Sequence, residues 1–269
     1  MDSASQTFRD AADLLTRGES HRVWSLIVTI FGDMAQGDGD AISGAALARL
    51  VGLMGIRPEA MRVALHRLRK DGWIDSRREG RGSLHWLTPF GRRRSAEASP
   101  RIYERVRSLP GTWHLLLSGG ADGTGRAQLE AAVLTGDYLP IGTQALLGPG
   151  PLPGDLHGLL GADITRFQVP GWLRDQVCPA EVVALYNGFE ADLGAVAAIL
   201  DRGPPLGALE TAAIRLLCVH SWRRLLFRHP DLPDVFFPDN WPGPVCRARF
   251  CDLIERLPAP GLDRLEAPA

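Results

Sequence analysis

Lysine is almost absent from this sequence. Of its thirty basic residues only Lys70 is a lysine, so arginine carries nearly all of the positive charge. The chain also lacks an apolar run of about eighteen residues, which excludes an obvious membrane span. Its first residues have neither a basic segment nor an apolar segment, so they do not form a secretory signal. We therefore expect a cytoplasmic protein.

The few cysteines form neither a CxxC pair nor a metal-ligand spacing; they are Cys178, Cys218, Cys246 and Cys251. We expect reduced thiols, no metal site and no cofactor. The sequence also has no nucleophile elbow, no HExxH motif and no phosphate-binding glycine loop. These absences argue against an enzyme and direct attention to a binding function.

The most informative stretch begins with a pattern for two helices joined by a tight turn. Apolar residues recur at helical spacing at Leu47, Leu50, Val51 and Met54. Ser43 is placed to cap that first helix, because its hydroxyl can accept a bond from a free first-turn amide. Gly55 permits the positive φ that ends a helix, and Pro58 suits the first turn of the next one.

The second helix is predicted over residues 57–70, with one apolar face and one polar face. The inward positions are Met61, Ala64, Leu65 and Leu68. The opposite positions are Glu59, Arg62, Val63, His66 and Lys70, with Arg69 beside them. After Asp71-Gly72, two short extended runs flank a glycine-containing turn and predict a hairpin. This order of elements is that of a winged helix-turn-helix.

Charge supports DNA binding by this module. Residues 49–107 contain fifteen Arg and Lys against six Asp and Glu, whereas the whole chain has a net charge of −1. A positive module attracts a polyanion, because binding releases the cations condensed on the phosphates. We predict major-groove contacts from the second helix and phosphate or minor-groove contacts from the hairpin. The predicted DNA-binding residues are Arg57, Arg62, His66, Arg69, Lys70, Arg77, Arg78 and Arg81.

The remaining chain predicts a second fold and a helical end, so the expected class is α+β. An N-terminal helical stripe that includes Phe8 and Leu15 is suited either to packing on a neighbouring subunit or to loose docking. The central part predicts a ferredoxin-like βαββαβ domain, with its second helix at residues 154–160 and its last strand at 164–169. The predicted domains are a winged helix at 20–92, a connecting helix at 93–110, the ferredoxin-like domain at 111–172 and a helical C-terminal domain at 178–258.

Several motifs resemble the phenylacetate-degradation operon repressor (PaaX-type) family of bacterial regulators. They are Phe31-Gly32-Asp33 and residues 56–69, 71–73, 76–81, 220–233 and 238–243. The chain departs from the family at Arg57-Pro58, where a Ser or Thr cap is usual, and at His229-Pro230, where Asp-Pro is usual. The resemblance implies the three domains named above. It also implies a homodimeric repressor of aromatic-acid catabolism that an aryl-CoA thioester, such as phenylacetyl-CoA, releases from DNA.

A CoA-type effector needs cations for its phosphates and an apolar slot for its acyl group. The candidate effector-binding residues are Tyr186, His220, Trp222, Arg223 and Arg224. Their alternative role is structural, as packing and ion-pairing groups. Two other functions stay open: a winged-helix DNA-binding protein with a different effector or none, and a metal-dependent nuclease in the ferredoxin-like domain. Asp122 has no partner carboxylate nearby in the sequence, which disfavours the nuclease.

Overall fold

The computed structural model describes residues 5–17, 22–119, 123–133, 138–154, 156 and 158–266. It is mixed α+β with two antiparallel sheets, which confirms the predicted class. Contacts divide the chain into two compact units. Unit 1 comprises Met1–Arg105, Tyr186–Leu226 and Gly243–Ala269, and unit 2 comprises Val106–Leu185 and Phe227–Pro242. This division differs from the predicted series of consecutive domains, because most of the C-terminal helical region shares a unit with the N-terminal region.

The helices and strands follow one another with short connections. In chain order they are α1 (Gln6–Thr16), α2 (Val23–Met34), β1 (Ile42–Ser43), α3 (Gly44–Leu53), α4 (Pro58–Lys70), β2 (Ile74–Glu79), β3 (Gly82–Leu87), α5 (Pro89–Tyr103), β4 (Trp113–Ser118), α6 (Gly123–Val133), β5 (Leu139–Ile141), β6 (Ala145–Pro149), β7 (Leu159–Ile164), α7 (Gly171–Val177), α8 (Ala180–Arg202), α9 (Ala208–Leu226), α10 (Gly243–Arg256) and α11 (Leu262–Glu266).

Helix α9 is the central helix of unit 1. It contacts α1, α2, α3, α5, α10 and α11. Its buried side chains are Ala212, Ala213, Ile214, Leu216, Leu217, Cys218, Val219, His220, Trp222, Leu225 and Leu226. The apolar residues of α9 are therefore not confined to one face, because neighbouring helices pack around it.

Helix α1 packs on its own chain. The Ser5 hydroxyl caps it by accepting a bond from Phe8 N at 3.1 Å, and Ser5 N donates to Glu210 Oε1 on α9 at 2.6 Å. Phe8 and Leu15 are buried, and α9 is the neighbour that α1 contacts. The expectation that this stripe packs on a neighbouring subunit or docks loosely is wrong.

A small sheet with the order β1-β3-β2 supports the hairpin of unit 1. Ile74 pairs with Leu87 at its base, and Glu79 pairs with Gly82 at its tip. After the hairpin, Thr88 Oγ1 accepts a bond from Gly91 N at 3.0 Å and caps α5. Helix α5 therefore begins at Pro89, before the predicted connecting helix, because a Thr cap followed by proline is itself a helix start.

Unit 2 contains a four-stranded sheet with the order β5-β6-β4-β7, and every neighbouring pair is antiparallel. Helix α6 covers one face through Leu129, which packs against Leu116 and Leu146. Strand β4, the first in this unit, therefore lies inside the sheet, and β7, the last, lies at an edge.

The predicted second helix of the central region, at residues 154–160, is wrong. Leu152 and Leu156 pack against the sheet core from an irregular segment, and Leu159 and Leu160 already belong to β7. Two prolines and three glycines between residues 150 and 158 disfavour a helix here. The final strand, predicted at 164–169, accordingly lies at Leu159–Ile164.

Among the described helices, α8 alone is long and apolar enough to cross a membrane by length and composition. The core helix of a soluble protein passes the same test. Helix α8 buries Tyr186, Leu193 and Val196, each at most 1% exposed.

Candidate nucleic-acid interface

Helices α3 and α4 are joined by a tight turn whose local signals all form as predicted. The Ser43 hydroxyl caps α3 by accepting a bond from Ala46 N at 3.0 Å. Gly55 has a φ of 75°, and Ile56 N bonds back to the carbonyl of Val51 at 3.1 Å. Pro58 then begins α4. These contacts fix the angle at which α4 leaves α3.

The orientation of α4 follows from its apolar face. Met61, Ala64, Leu65 and Leu68 are buried, and α4 packs on α2. The opposite face is solvent-exposed and consists of Glu59, Arg62, Val63, His66, Arg69 and Lys70. Both faces are as predicted. Because the buried residues hold the helix against the core, its exposed groups are presented as one surface.

The exposed cations of α4 are held by weak contacts. Arg62 Nη2 lies 2.9 Å from Glu59 Oε1, with both side chains about 70% exposed. Arg69 Nη1 donates to Ser76 Oγ at 3.1 Å. Surface pairs of this kind are worth about 0–1 kcal/mol, so these guanidinium groups can exchange partners at low cost.

Arg67 is a surface cation that the sequence reasoning did not select. Its guanidinium carbon lies 5.1 Å from the ring centre of Trp24, and its Nε lies 3.5 Å from Asp71 Oδ2. Both contacts hold the side chain along the surface of unit 1. In the sequence Arg67 follows Val63 by four residues, which places it beside the exposed face of α4. This spacing could have identified it.

The β2–β3 hairpin carries a second group of cations. Arg77, Arg78 and Arg81 are all exposed, and Arg77 Nη2 lies 3.4 Å from Glu79 Oε1. Gly80 has a φ of 57° and lets the chain reverse in a two-residue turn. Arg57, also exposed, occupies the N-cap position of α4 without a side-chain capping bond. All eight predicted DNA-binding residues are therefore accessible on unit 1.

His85 lies beneath this surface, in β3. It is 5% exposed, and its Nε2 is 2.8 Å from Ser83 Oγ. Burial, followed by the nearby charge of Arg69, lowers the pKa of His85 below its ordinary value of 6.5. The imidazole is therefore kept neutral in the folded protein and acts as a packing group under the hairpin.

The residues considered for an effector lie inside unit 1. Tyr186, His220 and Trp222 are each at most 1% exposed, and Trp222 Nε1 donates to the carbonyl of Ile102 at 3.0 Å. The His220 Nδ1 lies 3.1 Å from Thr29 Oγ1. These groups form core contacts in this conformation.

The two arginines of the same group are half-buried. Arg223 Nη1 donates to Thr29 Oγ1 at 2.6 Å, and burial lowers the pKa of Arg223 despite an opposing effect of Tyr103. Arg224 also has an interaction within the protein. The geometry therefore favours the structural role that the sequence left open for these residues.

A buried polar cluster at Asp33 was missed by the sequence reasoning. Arg215 donates to its carboxylate twice, from Nε to Oδ2 at 2.7 Å and from Nη2 to Oδ1 at 2.9 Å. Tyr103 donates to Oδ1 at 2.6 Å. The Arg215 Nη1 also donates to the carbonyls of Ile254 and Leu257 at 3.2 and 2.8 Å. The Asp33–Arg215 pair thus connects α2, α5, α9 and the end of α10.

Unit 2 contains an open cavity of about 470 Å³ between α6 and the β5–β6 hairpin. Its lining is mixed, with Ser118, Arg126 and Thr143 as polar groups and Leu129 and Leu146 among the apolar ones. The residues lining it include none of those predicted for the effector.

The described residues contain no group of three or more His, Cys, Asp or Glu side chains that could hold a metal ion. Asp122, considered above for a nuclease, lies outside the described residues. The four cysteines are free and buried. Burial raises the pKa of Cys178 to about 11 and that of Cys246 to about 12, which keeps both as thiols.

A turn-linked helix pair with a basic exposed helix, followed by a basic hairpin, defines a candidate nucleic-acid-binding protein. Comparison with known sequences is consistent with this class. The PaaX-like protein family matches residues 22–90, and the PaaX-like protein C-terminal domain matches residues 179–267. Together these segments cover more than half of the sequence. The chain belongs to the PaaX-like protein family.

Two individual proteins are similar over most of the chain. The transcriptional repressor PaaX of Escherichia coli (strain K12) is 28% identical over 251 residues, which are 87% of this chain and 79% of that protein. Among solved structures, the uncharacterized protein Rv0674 from Mycobacterium tuberculosis is 21% identical. The match covers 89% of this chain and 95% of that one, with a TM-score of 0.46.

Proposed function

We propose that this protein is a transcriptional repressor whose α3, α4 and β2–β3 hairpin form a winged helix-turn-helix that binds DNA. One observation carries the proposal: α4 is fixed by its buried face and presents Arg62, His66, Arg69 and Lys70 on one exposed face. Membership of the PaaX-like family and the similarity to a transcriptional repressor support it.

The exposed face of α4 provides the groups for reading a base sequence. In the major groove an arginine can bond both acceptors of one guanine, which suits Arg62 and Arg69. Arg57 and Lys70 lie at the two ends of the helix, where phosphates flank the groove. His66 lies one turn after Arg62 and completes the face. The hairpin arginines, Arg77, Arg78 and Arg81, bind phosphates or enter the minor groove.

The rest of the chain serves assembly and regulation in this proposal. Unit 2 has the strand order of a ferredoxin-like domain, in which an irregular segment replaces the second helix. The protein acts in the cytoplasm as a homodimer, and its two helix-turn-helix modules bind two half-sites of an operator. By analogy with the family, it represses genes of phenylacetate-type catabolism, and an aryl-CoA thioester such as phenylacetyl-CoA releases it from DNA.

The test is binding of the purified full chain to its own upstream DNA, measured by fluorescence anisotropy at two salt concentrations. A scrambled duplex of the same composition is the control for sequence specificity. Coenzyme A is the matched control for phenylacetyl-CoA, because it carries the same phosphates without the aryl-acyl group. We expect specific, salt-sensitive binding that phenylacetyl-CoA abolishes and coenzyme A does not.

The outcomes separate the parts of the proposal. Equal affinity for the upstream and scrambled duplexes at both salt concentrations contradicts the repressor. Specific binding that phenylacetyl-CoA leaves unchanged retains the DNA-binding function and removes the effector.

A further inference from the structure

Val63 is the most exposed large apolar side chain on α4. It is 70% exposed, whereas Met61, Leu65 and Leu68 of the same helix are at most 6% exposed. Valine is also a poorer helix former than alanine, leucine or arginine. Neither core packing nor helix propensity therefore accounts for valine at this position.

The surroundings of Val63 indicate its partner. Glu59 and Arg67 lie one turn before and after it, and Arg62 and His66 share its face. The last turn of α4 carries Arg67, Arg69 and Lys70. A surface with this positive charge is complementary to a polyanion, so a DNA duplex fits it better than an apolar protein face does.

Thymine is the base whose chemistry matches a valine. In the major groove thymine alone presents a methyl group, at C5, and apolar side chains contact it there. We propose that Val63 is a specificity-determining residue that selects thymine at one position of each half-site by packing its two methyl groups against the thymine methyl. This inference rests on the proposed function and goes beyond it by assigning a base to a residue.

The neighbours of Val63 on the exposed face of α4 are polar. Arg62 precedes Val63 directly, and its Nη2 lies 2.9 Å from Glu59 Oε1 on the same exposed face. Both side chains belong to the exposed face of α4, and Val63 is the apolar group of that face. Cytosine presents a donor and no methyl group at the corresponding groove edge.

The experiment removes the two methyl partners separately and together. A footprint on the upstream DNA first delimits the half-site. Each thymine within it is then replaced by deoxyuridine, which removes only the C5 methyl. Affinities of the full chain and of Val63→Ala are measured by fluorescence anisotropy for every duplex. Val245→Ala is the matched control, because Val245 is 54% exposed on α10 of the same unit.

We expect one thymine per half-site whose replacement weakens binding by the wild-type protein about fourfold, the loss that one buried methyl group gives. The same replacement should not weaken Val63→Ala further, and Val245→Ala should behave like the wild type. Non-additivity between the protein and DNA changes is the signature of direct contact.

Other outcomes overturn the inference. Specific binding in which no thymine replacement depends on Val63 removes the contact and leaves the repressor intact. An altered oligomeric state of Val63→Ala, measured by light scattering, with an unchanged thymine profile assigns Val63 to a contact between copies. Absence of specific binding by the wild-type protein contradicts the proposed function itself, and this inference with it.

Discussion

Replacing Asp33 by alanine removes the shared acceptor of the buried polar cluster in unit 1. The Asp33 side chain is 1% exposed and that of Arg215 is 12% exposed. Asp33→Ala leaves the Arg215 guanidinium without its carboxylate in a site that water hardly reaches. Tyr103 loses its acceptor as well. We expect this substitution to reduce the stability of unit 1 strongly.

The size of the expected stability loss follows from removing one partner of a buried ion pair. Such changes cost about 3–5 kcal/mol, because an uncompensated charge stays buried. Arg215→Met leaves Asp33 unpaired and also removes the bonds to two backbone carbonyls of α10 and its C-terminal end, each worth about 1 kcal/mol. The double variant Asp33→Ala/Arg215→Met buries no charge. Its loss should therefore be smaller than the sum of the two single losses by about 2–3 kcal/mol.

The assay must report on unit 1 alone. The seven tryptophans are spread over both units, so fluorescence would mix their transitions. Hydrogen exchange of peptides from α2 and α9, followed across a urea titration, gives the free energy of unfolding of unit 1. Asp201→Ala is the control, because its pair with Arg256 has side chains 62% and 43% exposed and should contribute less than about 1 kcal/mol. An Asp33→Ala loss as small as this control, or additive single losses, would refute the reasoning.

Three further predictions concern the candidate interface. Arg77→Ala/Arg78→Ala/Arg81→Ala should weaken binding to all duplexes and reduce the slope of log K against log salt by about 2–3, with exposed Arg126→Ala of unit 2 as the control. Burial lowers the pKa of His85, so at low pH the unfolded chain binds a proton that the folded chain excludes. At pH values below about 6.5 the free energy of unfolding should therefore decrease, and it should decrease less in His85→Leu. Urea midpoints of both proteins at about pH 7.5 and about pH 5 measure this difference. An equal decrease of the free energy of unfolding in the wild type and in His85→Leu would contradict the role given to His85. A side chain at Gly91 would overlap the carbonyl oxygen of Trp73, so Gly91→Ala should cost about 1–3 kcal/mol in thermal unfolding, whereas Gly52→Ala, with open space in α3, should not destabilise.

The candidate interface was the most predictable part of the molecule. Ser43, Gly55 and Pro58 each act on the backbone within a few residues, and the apolar residues of α4 recur at helical spacing. These local signals agreed with one another, so α4, which was predicted at 57–70 and lies at Pro58–Lys70, could be predicted closely. The prediction of a second helix in unit 2 was wrong because the local signals there disagreed. Its apolar residues suggested a helix, but prolines, glycines and close packing on β7 favoured an irregular segment.

Which residues of α3 and α4 face outward follows from the local sequence, because caps, turn glycines and periodicity act over less than two helical turns. The shared core of the N-terminal region and α9–α11 became visible only in the folded chain. The Asp33–Arg215 pair joins residues 182 positions apart, and α9 is buried on all sides by helices from both ends. No local pattern distinguishes such a helix or selects such a partner. Burial and pairing at this distance depend on the surfaces that the whole chain brings together.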